Sequence, residues 1–232
     1  MKYSWLLFDA DETLLDFTNA SKRSFFQSFK DIDQECSEEI FEIYEEINAQ
    51  VWKDFSMEKI DAVELRDRRF TLLFEELEID GIKGREFNDI YLQNLIHATE
   101  LYHGVNELLE DLKQEFTISL ITNGLQEVQR PRLRKTGIYD HFDSIVVSDE
   151  IGIAKPQTGF FEYAHQTIST NIPKDKMLVI GDNLHSDIQG GINYGVDTCW
   201  IHGGKTNDSD IVPTHDIEHI SHFSDLISSL KD

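Results

Sequence analysis

The sequence predicts a doubly wound α/β fold interrupted by an all-helical insert. Two observations carry this expectation. Short apolar runs with turn signals at their ends recur along the chain, and helical patterns separate the later ones. Between the first and second runs, residues from about 16 to 97 offer no convincing strand and several strong helical stretches.

The first run is "SWLLF" (4–8), followed by "TISLI" (117–121), "SIVV" (144–147), "MLVI" (177–180) and "TCWI" (198–201). Each has strand length, and most are apolar on both faces, as strands of a covered parallel sheet are. In "GVNELLEDLKQE", Val105, Leu108, Leu109 and Leu112 share one helical face, and "TGFFEYAHQTI" does the same with Phe160, Phe161, Ala164 and Ile168. "HDIEHISHFSDLISSL" reads as an edge strand and a closing helix. Within the insert, one stripe runs through Tyr44, Ile47, Val51 and Phe55, and a second through Val63, Phe70, Leu73, Phe74 and Leu77. The expected division is a mostly parallel, Rossmann-like sheet domain from 1–15 and 99–232, with a helical domain at 16–98.

Charge narrows the function. The 232 residues carry 44 acidic side chains against 21 basic, a formal net charge of −23. A binder of nucleic-acid polymers needs a basic face, so that class is excluded. An anionic substrate must be captured against the overall field, by local cations or a bound metal. "MKYSWLLF" is too short an apolar stretch for a signal peptide, and no run approaches the roughly 20 residues that span a bilayer. Cys36 and Cys199 lie far apart without metal-ligand spacing; a disulfide is possible on paper, but free thiols in a reducing cytoplasm are the expectation.

Four polar clusters follow expected strand ends, where open α/β sheets bind ligands. They are Asp9-Ala10-Asp11-Glu12-Thr13; Thr122-Asn123-Gly124; Lys155 before Pro156; and "GDNLHSD", with Asp182 and Asp187. Each alone has an ordinary reading. An Asp after a strand is commonly a helix cap, Thr-Asn-Gly a turn, and a lone Lys before proline a solvated residue. Taken in this order, the four resemble the motifs of the haloacid dehalogenase superfamily. The helical insert also sits where subfamily I members carry their cap.

That resemblance implies a phosphatase using Mg2+, with Mn2+ as an alternative. Asp9 would be nucleophile and metal ligand. Asp11 would lend its backbone carbonyl to the metal, and its side chain would act as general acid and then base. Asp182 would be the second carboxylate ligand, with Asp187 holding the metal through water or steadying its neighbours. Thr122, Asn123, Gly124 and Lys155 would bind phosphate, and Lys155 would also position Asp9. These residue types suit phosphoryl transfer, which needs an in-line nucleophile and positive charge around the equatorial oxygens. A dehalogenase needs neither the acid nor the metal, so phosphatase is favoured.

Around these residues, Thr13 is expected to bond locally in its turn, and Glu12 and Asp16 to be solvated. His185 reads as a partly exposed loop residue, Cys199 and Trp200 as core, and Asn183 as an aid to carboxylate orientation. "LYHGVNELLEDLKQ", "ITNGLQEVQRPRLRKTGI", "GGINYGVDTCWI" and the stretch from Ile47 to Phe74 resemble the bacterial pyrimidine 5′-nucleotidases of the YjjG/YfnB type within subfamily IA. The implied substrate is a small phosphorylated metabolite, a nucleoside monophosphate. Trp52, Phe55, Arg66, Arg68 and Arg69 are candidates for its recognition, and hinges are expected near Leu15–Asn19 and Thr99–His103. Two readings remain beside this one: a sugar-phosphate or phosphoglycolate phosphatase or phosphomutase, and a non-enzymatic phospho-acceptor module. The second fits less well, since receiver domains carry their acid pair before the phosphorylated Asp and lack such an insert.

Overall fold

The computed structural model describes residues 2–57, 59–168 and 172–230. It divides into two compact units, Met1–Phe17 with Thr99–Asp232, and Thr18–Ala98.

The first unit is built on one sheet. In chain order its strands are β1 (Trp5–Phe8), β2 (Thr117–Thr122), β3 (Ser144–Val147), β4 (Met177–Gly181), β5 (Asp197–Ile201) and β6 (His215–Ile217). Their spatial order is β3-β2-β1-β4-β5-β6, and every pairing is parallel, where a mostly parallel sheet was expected. A chain that enters at β1, builds outward to β3 and then returns to β4 reverses direction between β1 and β4. That is the switch point at which such sheets open a crevice beyond their strand ends.

Both faces of the sheet are covered, which is why its central strands show no polar alternation. Leu6 and Phe8 of β1 join Ile118, Leu120, Leu178 and Ile180 in a core closed by Val105, Leu109, Leu133, Phe223 and Ile227. Trp5 and Leu7 face the other way, with Val179, Phe160, Phe161, Ala164 and Tyr194.

The helices, numbered along the chain, begin with four that make up the insert: α1 (Phe17–Asp31), α2 (Glu38–Ser56), α3 (Ala62–Glu76) and α4 (Gly84–Ala98). Those of the sheet unit are α5 (Val105–Leu112), α6 (Gln126–Lys135), α7 (Ser148–Ile151), α8 (Thr158–Ile168), α9 (Gln189–Tyr194) and α10 (Phe223–Ser229). The insert contains no strand among the described residues. Its core is aromatic: Tyr44 stacks on Phe70 with centroids 5.1 Å apart, and Phe25, Phe29, Phe87 and Tyr91 complete the cluster.

Two features of the insert correct the sequence reading. Val63, placed on the apolar stripe, is 67% exposed. Val63 lies in the first turn of α3, where Asp61 and Glu64 form an exposed capping box, and burial begins only at Leu65. Ile47, Phe55 and Leu77 are only half-buried. Of the recognition candidates, Arg68 is exposed, Trp52 packs edge-to-face on Phe55, and Arg66 bonds the carbonyl of Ala62. Arg69 is buried among neutral partners, Asn48 and Asn88, and over the rings of Phe70 and Tyr91.

Candidate active site

The sheet register brings the motifs together. Phe8 pairs with Leu120 on one side and Ile180 on the other, so the residues just beyond β1, β2 and β4 meet at the switch point. Asp9 is the first residue past β1, and its amide bonds the carbonyl of Ile180 at 2.8 Å. Carboxylate oxygens of Asp9, Asp182 and Asp187 all lie within 4.8 Å of one another.

Lys155 reaches this cluster from the loop before α8. Its ammonium donates to Asp9 Oδ1 at 2.5 Å, Asp187 Oδ1 at 2.6 Å and the carbonyl of Ile121 at 2.8 Å. The lysine is 2% exposed, far from the solvated residue that its sequence context ordinarily signals. Asn123 holds its backbone, accepting from Lys155 N at 2.8 Å and donating to Lys155 O at 2.9 Å. Asn123 thus positions the lysine through the main chain.

Electrostatics follow from burial. Burial pushes the Asp9 carboxyl well above the ordinary range; Lys155 opposes this, while Asp187 and Asp182 reinforce it. Burial pushes Asp182 up to about 7, with Asp187 adding to the shift and Lys205, 3.3 Å away, offsetting part of it. Burial works against the Lys155 ammonium too, but the charges of Asp187 and Asp9 outweigh it and raise its pKa. The ammonium therefore stays charged.

Two glycines make the close packing possible. A Cβ at Gly181 would lie 2.4 Å from Asp187 Oδ2, and one at Gly124 would lie 1.9 Å from Gln129 Nε2. Asp187 sits in a π-turn at Leu184–Ile188, a form enriched at functional sites. Asn183 serves this turn through both its side chain and its backbone. Its side chain caps the turn by accepting from His185 N and Ser186 N, while its backbone amide donates to Asp187 Oδ2 at 3.1 Å.

A family model for haloacid dehalogenase-like hydrolases matches residues 6–201. The chain belongs to this family. Pyrimidine 5′-nucleotidase YjjG of Escherichia coli is 32% identical over 228 residues, 98% of this chain and 99% of its own. Pyrimidine 5′-nucleotidase PynA of Streptococcus pneumoniae is 32% identical over 234 residues, 99% of this chain and 96% of its own. The crystal structure of Bacillus subtilis YfnB bound to magnesium superposes with a TM-score of 0.91 at 30% identity, covering 98% of this chain and 100% of that one.

In this haloacid dehalogenase-like hydrolase the donor set suits a hard dication. Three carboxylates converge, two of them with pKa values raised by burial, and the cluster holds more negative than positive charge. Asp9, Asp182 and Asp187 would supply the oxygens.

Thr122, at the end of β2, is buried; its hydroxyl accepts from Gly124 N at 3.2 Å and Gln129 Nε2 at 3.1 Å. Asp11 is gripped from both sides, by Arg132 at Oδ1 (2.6 Å) and Gln129 at Oδ2 (3.0 Å). Sequence reasoning missed both partners. The signal was their i, i+3 spacing on the face of α6 that also carries Val128 and Leu133, all four buried. Glu12 is half-buried and accepts from the Tyr102 hydroxyl at 2.8 Å, where a solvated residue was expected. Its left-handed backbone (φ 58°) turns the side chain back toward the segment after α4. Asp16 is also half-buried, its amide bonded to the carbonyl of Glu100 at 3.1 Å. Thr13 is fully buried with no hydrogen-bond partner for its hydroxyl among the described residues, so the expected local turn bond does not form. Cys199 and Trp200 are core, His185 is exposed, and both cysteines are free thiols. Among the described residues no helix is long and apolar enough to cross a membrane.

Proposed function

We propose that this phosphoric monoester hydrolase acts on nucleoside 5′-monophosphates, with a preference for pyrimidine and deoxy forms, in the cytoplasm. The observation that carries the chemistry is the buried Lys155 ammonium bonded to both Asp9 and Asp187 beside Asp182. Full-length similarity to two proteins named pyrimidine 5′-nucleotidases supports the substrate class.

Asp9 Oδ attacks phosphorus in line with the ester oxygen, forming an aspartyl-phosphate as the phosphorus–ester bond breaks. Asp11 gives its proton to the departing alkoxide. It then takes a proton from the water that attacks phosphorus, releasing phosphate and restoring the Asp9 carboxylate. The Thr122 hydroxyl, the amides at Asn123 and Gly124 and the Lys155 ammonium bind the phosphoryl oxygens. Magnesium held by Asp9, Asp182, Asp187 and the Asp11 carbonyl, with manganese as an alternative, would screen the repulsion between carboxylate and phosphate. The helical unit serves as the cap that selects the leaving group, with hinges at 15–19 and 99–103.

The test is a panel of nucleotides and sugar phosphates assayed for phosphate release, with Asp9→Asn as control. dUMP, dTMP and UMP are expected to be turned over faster than any sugar phosphate, and the folded Asp9→Asn protein to be inactive. A sugar phosphate at the head of the panel overturns the substrate assignment. Activity of Asp9→Asn within tenfold of wild type overturns the nucleophile.

A further inference from the structure

We propose that Gln129 and Arg132 are positioning residues that hold the Asp11 carboxyl in the orientation required for proton transfer to the leaving group. The inference rests on the reading of Asp11 as the proton donor and adds to it two groups outside the four motifs. Arg132 is 1% exposed and spends its donors on three acceptors: Asp11 Oδ1 at 2.6 Å, Thr99 Oγ1 at 2.8 Å and Gln129 Oε1 at 3.2 Å. Gln129, equally buried, donates from one Nε2 to Asp11 Oδ2 at 3.0 Å and to Thr122 Oγ1 at 3.1 Å.

Every link in this chain of bonds constrains the next. The guanidinium fork fixes the plane of the Gln129 amide, so that its nitrogen and not its oxygen faces Asp11 and Thr122. With Oδ1 taken by a charged donor, Oδ2 is held only by a neutral amide. That makes Oδ2 the oxygen that gives the proton to the ester oxygen and later takes one from water. A buried arginine against an aspartate that is 28% exposed at its side chain also makes a one-sided support. The rigid member is the arginine and the working member is the carboxylate. The same guanidinium bonds Thr99, and Lys135 donates to the Thr99 carbonyl at 2.6 Å, so the clamp is anchored to the segment leading out of α4. Gly124 completes the arrangement, since any side chain there would occupy the place of the Gln129 amide.

The experiment measures kcat/KM for phosphate monoesters of graded leaving group, from 4-nitrophenyl through phenyl to benzyl phosphate. These probes make the result independent of nucleotide preference. Only the poor leaving groups need a proton as the phosphorus–oxygen bond breaks. Asp11→Asn is expected to lose about 100-fold or more on benzyl phosphate and under about tenfold on 4-nitrophenyl phosphate. Arg132→Lys and Gln129→Met should show the same tilt, losing at least tenfold more on benzyl than on 4-nitrophenyl phosphate. Combining either with Asp11→Asn should add little to the loss of Asp11→Asn alone.

Losses that are equal across the series in both variants would overturn the clamp and mark these residues as structural or phosphate-binding. If Asp11→Asn itself shows no tilt, the proton-donor reading fails first, and the inference with it. Near-UV circular dichroism verifies the fold. Should Arg132→Lys fail to fold, Gln129→Met alone decides, because its loss is then read against the same series.

Discussion

Replacing Lys155 with methionine probes the electrostatic centre of the site directly. The substitution keeps the unbranched stem of the side chain, one heavy atom shorter, and removes its charge. It strands Asp9 and Asp187, 10% and 1% exposed at their side chains, without the ammonium that lies 2.5 and 2.6 Å from them. It also orphans the Ile121 carbonyl. Removing one partner of a buried ion pair costs roughly 3–5 kcal/mol, and the lost carbonyl bond lies within that figure once non-additivity is allowed. With a urea m-value of about 3 kcal/mol/M, the midpoint should fall by roughly 1–1.7 M at pH 8 without metal.

The sign of the pH dependence is fixed. Burial already holds the Asp9 carboxyl above its unfolded range, and loss of the ammonium that opposes this pushes it further up. The stability such groups contribute is complete at low pH and lost as pH rises through the folded pKa. The deficit should therefore shrink at pH 5, where a proton replaces the missing charge, and magnesium should raise the midpoint of the variant more than that of wild type. A midpoint within about 0.3 M of wild type at pH 8, or a deficit that does not change between pH 5 and 8, would refute the view that Lys155 compensates buried carboxylates.

Gly124→Ala should act through Gln129, because the new Cβ falls on that amide. Expected are about 1 kcal/mol of lost stability by urea titration and at least a tenfold drop in turnover of esters with poor leaving groups. Asp182, with a folded value of about 7 against an ordinary 3.8, makes the metal-free protein less stable as pH rises between those values. Asp182→Asn should thus be more stable than wild type by about 1–3 kcal/mol at pH 8 without metal, and calorimetric titration should show its magnesium affinity reduced.

What could be read from the sequence, and what could not, follows from where the physics is local. A strand buried on both faces leaves an unbroken apolar run, so "WLLF" and "MLVI" announced themselves. Asp9 and Asp182 were visible as polar residues at the ends of such runs. Lys155 was not visible alone, since nothing near it in sequence says that its ammonium is buried; only the order of the four motifs singled it out. Gln129 and Arg132 were hidden more thoroughly. The helix "QEVQRPRLRK" is polar enough to pass for a solvated face, and the acceptors that bury these two side chains come from residues 11, 99 and 122. Val63 erred in the opposite direction, because it shares the spacing of the buried stripe but falls in the exposed, capped first turn of α3.

The central position of β1 has a consequence for biosynthesis. It is the first strand to be made, yet its neighbours in the sheet are residues 117–122 and 177–181. At ribosomal rates of about 5–20 residues per second, some 10–35 s separate the synthesis of Asp9 from that of Asp187. During that interval Lys155 and the carboxylates of the second half do not yet stand around Asp9. A nascent chain thus carries Asp9 without its partners, and the cluster proposed to make it a nucleophile forms only when nearly the whole sheet has closed around it.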